Sequence, residues 1–185
     1  MTTINKGTTV NTSNLQPGQL IHIYLAFYNV TSIRGFTSML TFFCAKTIMI
    51  CVFLNASKRA PFCIIRFILT TLINEQHPYK RIRVDEDSVL ANSKDITNLL
   101  VDDFKISMET NSGDASWINI RNERHNRSIH NAVIADLLDI DQHENKWCCA
   151  AEISAESDRF RINSALDNIS PHFAWYGKNT IIHEL

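Results

Sequence analysis

The chain has 185 residues, 45% of them hydrophobic, and sets 18 Lys and Arg against 19 Asp and Glu for a formal net charge of −1. That length suits one domain with a sizeable core, and the charge balance excludes a protein that holds nucleic acid by a bulk basic excess, so any such surface must be local. Five cysteines, with Cys148 and Cys149 adjacent, do not form a secreted disulfide framework, and a reducing intracellular compartment, nucleus or cytoplasm, is expected.

Residues 1–19 are rich in Thr, Asn and Gly, with only Ile4, Val10 and Leu15 as aliphatic side chains. Such a segment buries too little apolar area to offset its ordering entropy, and it reads as a flexible polar lead-in without the apolar run of a secretory signal. Leu20 to Tyr28 (LIHIYLAFY) then reads as a strand. Residues 36–54 carry a single charge, Lys46, and have the length of a membrane span. A membrane anchor is therefore one competing reading of the chain. The run is dense in β-branched and aromatic residues and is interrupted at Ala45-Lys46-Thr47, which favours two buried strands joined by a tight turn.

A helix is expected to start near Ala60-Pro61, with Ser57 or Asn55 as its cap and Pro61 in the first turn. Ile65, Ile68, Leu69 and Leu72 would form its buried stripe, and Asn74 to Pro78 would stop it. Lys80 to Val84 (KRIRV) reads as a strand, Lys94 to Phe104 as a helix, and Lys105 to Met108 as a short strand. A long helix from about Trp117 to Leu138 would bury Ile129, Val133 and Leu137. Three successive strands followed by alternation with helices imply an α/β fold, a mixed sheet flanked by helices.

Asp85 at the end of a strand and Glu123 in the first turns of a helix are candidates for holding a divalent cation, because carboxylates delivered from two elements to one sheet end can converge. On spacing alone, Glu123 with Arg127 is also an ordinary surface i,i+4 pair. No cysteine and histidine spacing typical of zinc occurs. Cys44, Cys51 and Cys63 are expected to be buried small hydrophobes, and Cys148 and Cys149 to lie on a packed helix after Trp147. His125 and His130 could touch phosphates or face solvent. Arg121, Arg124 and Arg127, with Lys80, Arg81 and Arg83, form the only local basic concentration in the chain. It could track a DNA backbone or pair with Asp85, Glu86 and Asp87.

The succession RVDED, NERHNRSI, WCCAAE and NISPHFAWYGKNTIIHEL resembles the integrase core of copia-type retrotransposon polyproteins across residues 20–185. The resemblance implies a ribonuclease H-like fold, with residues 20–158 as a catalytic core-like domain and residues 159–185 as a truncated tail of that core. It implies Asp85 and Glu123 as catalytic metal ligands, with Asp87 as the fallback for Asp85. Arg121, Arg124, Asn126, Arg127 and Lys80 become DNA contacts, and Pro171, Trp175, Gly177 and Lys178 match the family's closing segment. Mg²⁺ or Mn²⁺ is the implied cofactor. DNA, as element ends and target, is the implied partner, together with a homo-oligomer and no membrane.

The sequence also departs from the family pattern. The first strand reads His22-Ile23-Tyr24-Leu25, so Tyr24 stands where the family carries its first metal-binding Asp. The family's reaction is in-line attack on a phosphodiester assisted by two metal ions. A tyrosine phenol, with an ordinary pKa of about 10, is neutral at physiological pH and a poor ligand for hard cations. The resemblance therefore implies DNA integration chemistry, and Tyr24 implies that strand transfer is impaired. Ile120 and Ser88 replace glycines of the family motifs, which implies altered loops. The family's upstream zinc module is absent from residues 1–19, in keeping with a decayed or fragmentary copy. A non-catalytic DNA- or protein-binding remnant is the alternative.

Overall fold

In the computed structural model of the chain, the described residues are 5–6, 12–57, 59–75, 77–85, 88–111, 131, 133–134 and 143–177. Strands β1 (Asn5–Lys6), β2 (Leu20–Phe27), β3 (Ser38–Cys44), β4 (Ile50–Asn55), β5 (Arg81–Asp85) and β6 (Ser107–Asn111) form one sheet in the order β1-β6-β5-β2-β3-β4. The β2–β3 and β3–β4 pairs are antiparallel, whereas β5 lies parallel to both β2 and β6. The mixed sheet and its flanking helices are the expected ribonuclease H-like architecture.

Alternation along the strands sorts the core into two layers. Ile21, Ile23 and Leu25 of β2, Leu40 and Phe42 of β3, and Ile82 and Val84 of β5 share one cluster with Ile65, Ile68, Leu69 and Leu72 of helix α1 (Phe62–Asn74). That helical stripe is the one expected from i, i+3, i+4, i+7 spacing. Met39, Phe43 and Ile50 pack on the opposite face against Trp147, Cys148, Ala150 and Ala151 of helix α3 (Trp147–Phe160). Strands covered on both faces read as continuous apolar runs, which is why residues 36–54 resemble a membrane span. They form β3, a turn and most of β4, and no helix among the described residues is long and apolar enough to cross a membrane. The turn needs a left-handed residue, and Ile48 supplies it at φ 60° with its side chain buried. A β-branched residue in that conformation costs roughly 1–2 kcal/mol, which burial of the side chain helps to offset.

Several local expectations change. Neither Ser57 nor Asn55 caps α1, whose N-cap is Pro61 with no side-chain bond. The Asn55 amide instead donates to Ser38 Oγ at 3.1 Å, tying the loop after β4 back to β3. The expected helix over 94–104 is α2 (Lys94–Asn98), capped by Ser93, followed by a wider turn over Leu99–Asp103 in which Phe104 N–H donates to Leu99 C=O at 3.1 Å. The strand expected at 105–108 lies at Ser107–Asn111 because Lys105 turns the chain at φ 57°. Cys44 is buried as expected, but Cys51 is partly accessible and Cys63 is exposed on α1. Within the polar lead-in, Asn5–Lys6 pair with β6 and Leu15 is buried beside Leu20. The long helix expected over 117–138 falls outside the described residues apart from Asn131, Val133 and Ile134, which are helical.

The loop between β2 and β3 is anchored to the start of α3. Trp147 Nε1 donates to Val30 C=O at 2.9 Å, its ring stacks on Tyr28 at 3.9 Å between centroids, and Arg34 bridges to Glu152 at 2.6 Å. Before β2, Gly18 adopts φ +78°, and a Cβ there would stand 2.9 Å from the Cβ of His77. Gly18→Ala is expected to lower stability by roughly 2 kcal/mol, combining left-handed strain with overpacking; urea denaturation measures the change.

Candidate functional site

On the face of β2, β5 and β6 that carries no apolar cluster, polar residues stand in ranks across the sheet. His22 pairs in register with Arg83, and Arg83 with Glu109. Because side chains alternate with a period of two, the next rank on the same face is Tyr24 and Asp85, with the backbone of Asp85 paired to Asn111. Tyr24 and Asp85 are both exposed, at the C-terminal half of parallel neighbouring strands.

The rank beneath them is buried. Arg83, 1% exposed, donates from Nε at 3.2 Å and from Nη2 at 2.7 Å to Glu109 Oε2. Glu109 Oε1 lies 3.6 Å from Arg81 Nη1. These two arginines therefore both pair with Glu109, and Arg83 is buried, so it is not part of an exposed basic surface. Glu109 is the residue that sequence reasoning missed. The signal for it was a lone acid at an inward-alternating position of a short strand, which acquires meaning only once that strand is known to lie beside KRIRV.

His22 sits next to this pair. Burial, reinforced by Arg83 and then Arg81, pushes its pKa down to about 3, so the imidazole is neutral in the folded protein. Arginine and imidazolium side by side in a dry layer would be two like charges with one carboxylate between them.

Asp85 ends its strand under local control. Ser88 Oγ donates to Asp85 C=O at 2.6 Å and accepts from Ala91 N–H at 3.1 Å, and Ser88 N–H also reaches Asp85 C=O at 3.1 Å. Ser88 is not among the residues with a left-handed backbone. Ser88 is thus tied back to Asp85 by hydrogen bonding. Lys80 is exposed just before β5. Pro171, Trp175 and Gly177 build helix α4 (Pro171–Tyr176): Ser170 caps it by accepting from Phe173 N–H at 3.1 Å, Trp175 is buried, and Gly177 ends it at φ 67°. Glu123, Arg121, Arg124, Asn126, Arg127, Asp87 and Lys178 lie outside the described residues, as do Ile120, His125 and His130.

Two-metal phosphoryl chemistry needs several hard oxygen donors around each ion. Among the described residues this edge offers one carboxylate, Asp85, beside a phenol, and no group of three potential metal-ligating side chains occurs. The described donor set does not fit two ions.

No protein-family model and no curated protein matches the chain. Among solved structures, it is similar to the HTLV-2 integrase catalytic core domain in complex with magnesium. The trimeric form matches with a TM-score of 0.60 at 12% identity, over 85% of this chain and 96% of that one. The dimeric form gives 0.60 and 12% over 89% of this chain and 99% of that one. At that identity the likeness establishes the fold: the chain has the fold of an integrase catalytic core.

Two predictions follow from the buried rank. Glu109→Ala strands the Arg83 charge and is expected to cost about 3–5 kcal/mol, while Arg83→Met combined with Glu109→Leu recovers most of that loss; chemical denaturation of both variants checks it. His22 is neutral in the folded state, whereas the unfolded chain takes up its proton below about 6.5, so stability falls as pH drops from there towards about 3. Its share of the loss by pH 5 is about 2 kcal/mol, and His22→Gln should flatten that part of the pH–stability curve.

Proposed function

We propose that the chain is the integrase core-like domain of a copia-type retroelement, a DNA-binding module of integration whose strand transfer is impaired by Tyr24. The observation that carries this reading is that Tyr24 and Asp85 each lie two residues beyond the paired His22 and Arg83 on neighbouring parallel strands, within an integrase-core fold. Asp85 supplies one carboxylate, and Glu123 is assigned as the second by its motif. Tyr24 occupies the place of the first family Asp with a neutral phenol, which leaves the charge of a divalent cation underbalanced.

Several features support a DNA-facing role for this edge. Arg121, Arg124, Asn126 and Arg127 share the motif that carries Glu123, and Lys80 is exposed at the start of the strand that carries Asp85. Contacts from these residues would position a phosphate backbone without reading bases. The HTLV-2 cores are magnesium complexes in dimeric and trimeric forms, which supports Mg²⁺ or Mn²⁺ and a homo-oligomer as the cofactor and assembly of this reading. The place of action would be the nucleus or the cytoplasm, where the element's DNA is available. The alternative of a non-catalytic DNA- or protein-binding remnant draws support from the same Tyr24.

The test is strand transfer with Mg²⁺ and with Mn²⁺ on labelled duplex ends. Wild type is expected to stay at background and Tyr24→Asp to gain activity that Glu123→Gln abolishes, since loss of one essential ligand commonly costs two or more orders of magnitude. Robust wild-type activity lost in Glu123→Gln would refute the impairment. An inactive Tyr24→Asp that still binds duplex DNA would move the conclusion to the remnant.

A further inference from the structure

On the sheet face opposite Tyr24 and Asp85, a cavity of about 160 Å³ opens between β3, β4, α1 and α4. Phe42 and Phe53 line it from the strands, Phe67 from α1, and Trp175 and Tyr176 from α4. A purely apolar cavity of this size would suit an uncharged hydrocarbon. This one differs because its lining includes a single carboxylate, Glu75, at the C-terminal end of α1.

That carboxylate keeps its charge toward the cavity. Trp175 Nε1 donates to Glu75 Oε2 at 3.4 Å, and His77 Nε2 lies 3.8 Å from the same oxygen. Burial lowers the His77 pKa against the opposing pull of Glu75, so a neutral imidazole does not cancel the carboxylate. Arg159, whose charge acts on Cys51 and Tyr176 in the lining, is bridged to Glu156 at 3.0 Å. The ionised groups acting on the Cys51 thiol in the lining are Arg159, Glu156 and Glu75, one positive and two negative. The cavity is therefore mostly apolar, rich in aromatic side chains and anionic at its rim.

We infer that this cavity binds a methylated ammonium group, with Phe67, Trp175 and Tyr176 as its aromatic contacts and Glu75 as its counter-charge. Methyl groups explain why the cation can enter. A bare ammonium brings N–H donors that an aromatic lining leaves unpaired, whereas a quaternary nitrogen has none, and its charge is attracted by ring faces. A neutral group of the same shape would gain the apolar contact but nothing from Glu75. The site lies on the other face of the sheet from Asp85, so it stands independently of the integration reading.

The experiment titrates the full chain with choline and with its neutral isostere, in which a quaternary carbon replaces the nitrogen, following the Trp175 indole N–H resonance. Choline is expected to shift that resonance saturably and the isostere to bind at least about ten-fold more weakly. Glu75→Gln should weaken choline by roughly ten-fold. Phe67, 66% exposed, can be changed without disturbing the core, and Phe67→Leu should cost about three-fold. Equal binding of the isostere, no saturable shift with choline, or wild-type affinity in both variants would overturn the inference. A trimethyl-lysine peptide that binds more tightly than choline upholds it with a protein tail as the source, and a weaker one upholds it with a free head group.

Discussion

Arg83 and Glu109 join β5 to β6 by two charge-assisted hydrogen bonds, almost out of contact with water. A guanidinium in that position is tolerable only with its carboxylate opposite, so the pair ties the two strands to one alignment. A slip of one residue would turn Arg83 into the apolar layer beside Ile65 and Leu69. The same rank continues to His22 on β2, whose imidazole stays neutral because it is buried, with Arg83 and Arg81 adding to the effect. The placement of Tyr24 and Asp85 follows from this alignment, since each lies two residues further along its strand.

The two faces of the sheet are built from different chemistry for that reason. Toward α1, strands β2 to β6 contribute apolar side chains, and the layer closes by burial. On the other face, β3 and β4 pack apolar residues on α3, while β2, β5 and β6 present polar ones. The division runs along the sheet, so the polar edge with Asp85 and the apolar platform beneath Trp147 belong to one surface. Trp147 secures their boundary, stacking on Tyr28 and bonding to Val30 in the loop that follows β2.

The near-neutral charge of the chain also acquires a structural meaning. Arg81 and Arg83, which might have counted toward a nucleic-acid surface, are committed to Glu109, and Arg34, Arg159 and Arg161 each pair with an acid. Lys80 is exposed, but it precedes β5 at the end of the strand away from Asp85.

The strands within 36–54 were legible in the sequence because β-branched and aromatic residues interrupted at a polar turn form a local pattern, as was the α1 stripe with its helical period. The fold was legible through motifs whose order resembles that of an integrase core. What escaped the sequence was every property that depends on which strand lies beside which. Glu109 is an unremarkable acid until β6 is set against β5, His22 is an ordinary histidine until Arg83 is its neighbour, and the aromatic residues around Glu75 come from segments far apart in the chain. Periodicity is written within one segment and is read there. Charge compensation, pKa depression and cavities arise between segments, so only the tertiary structure decided them.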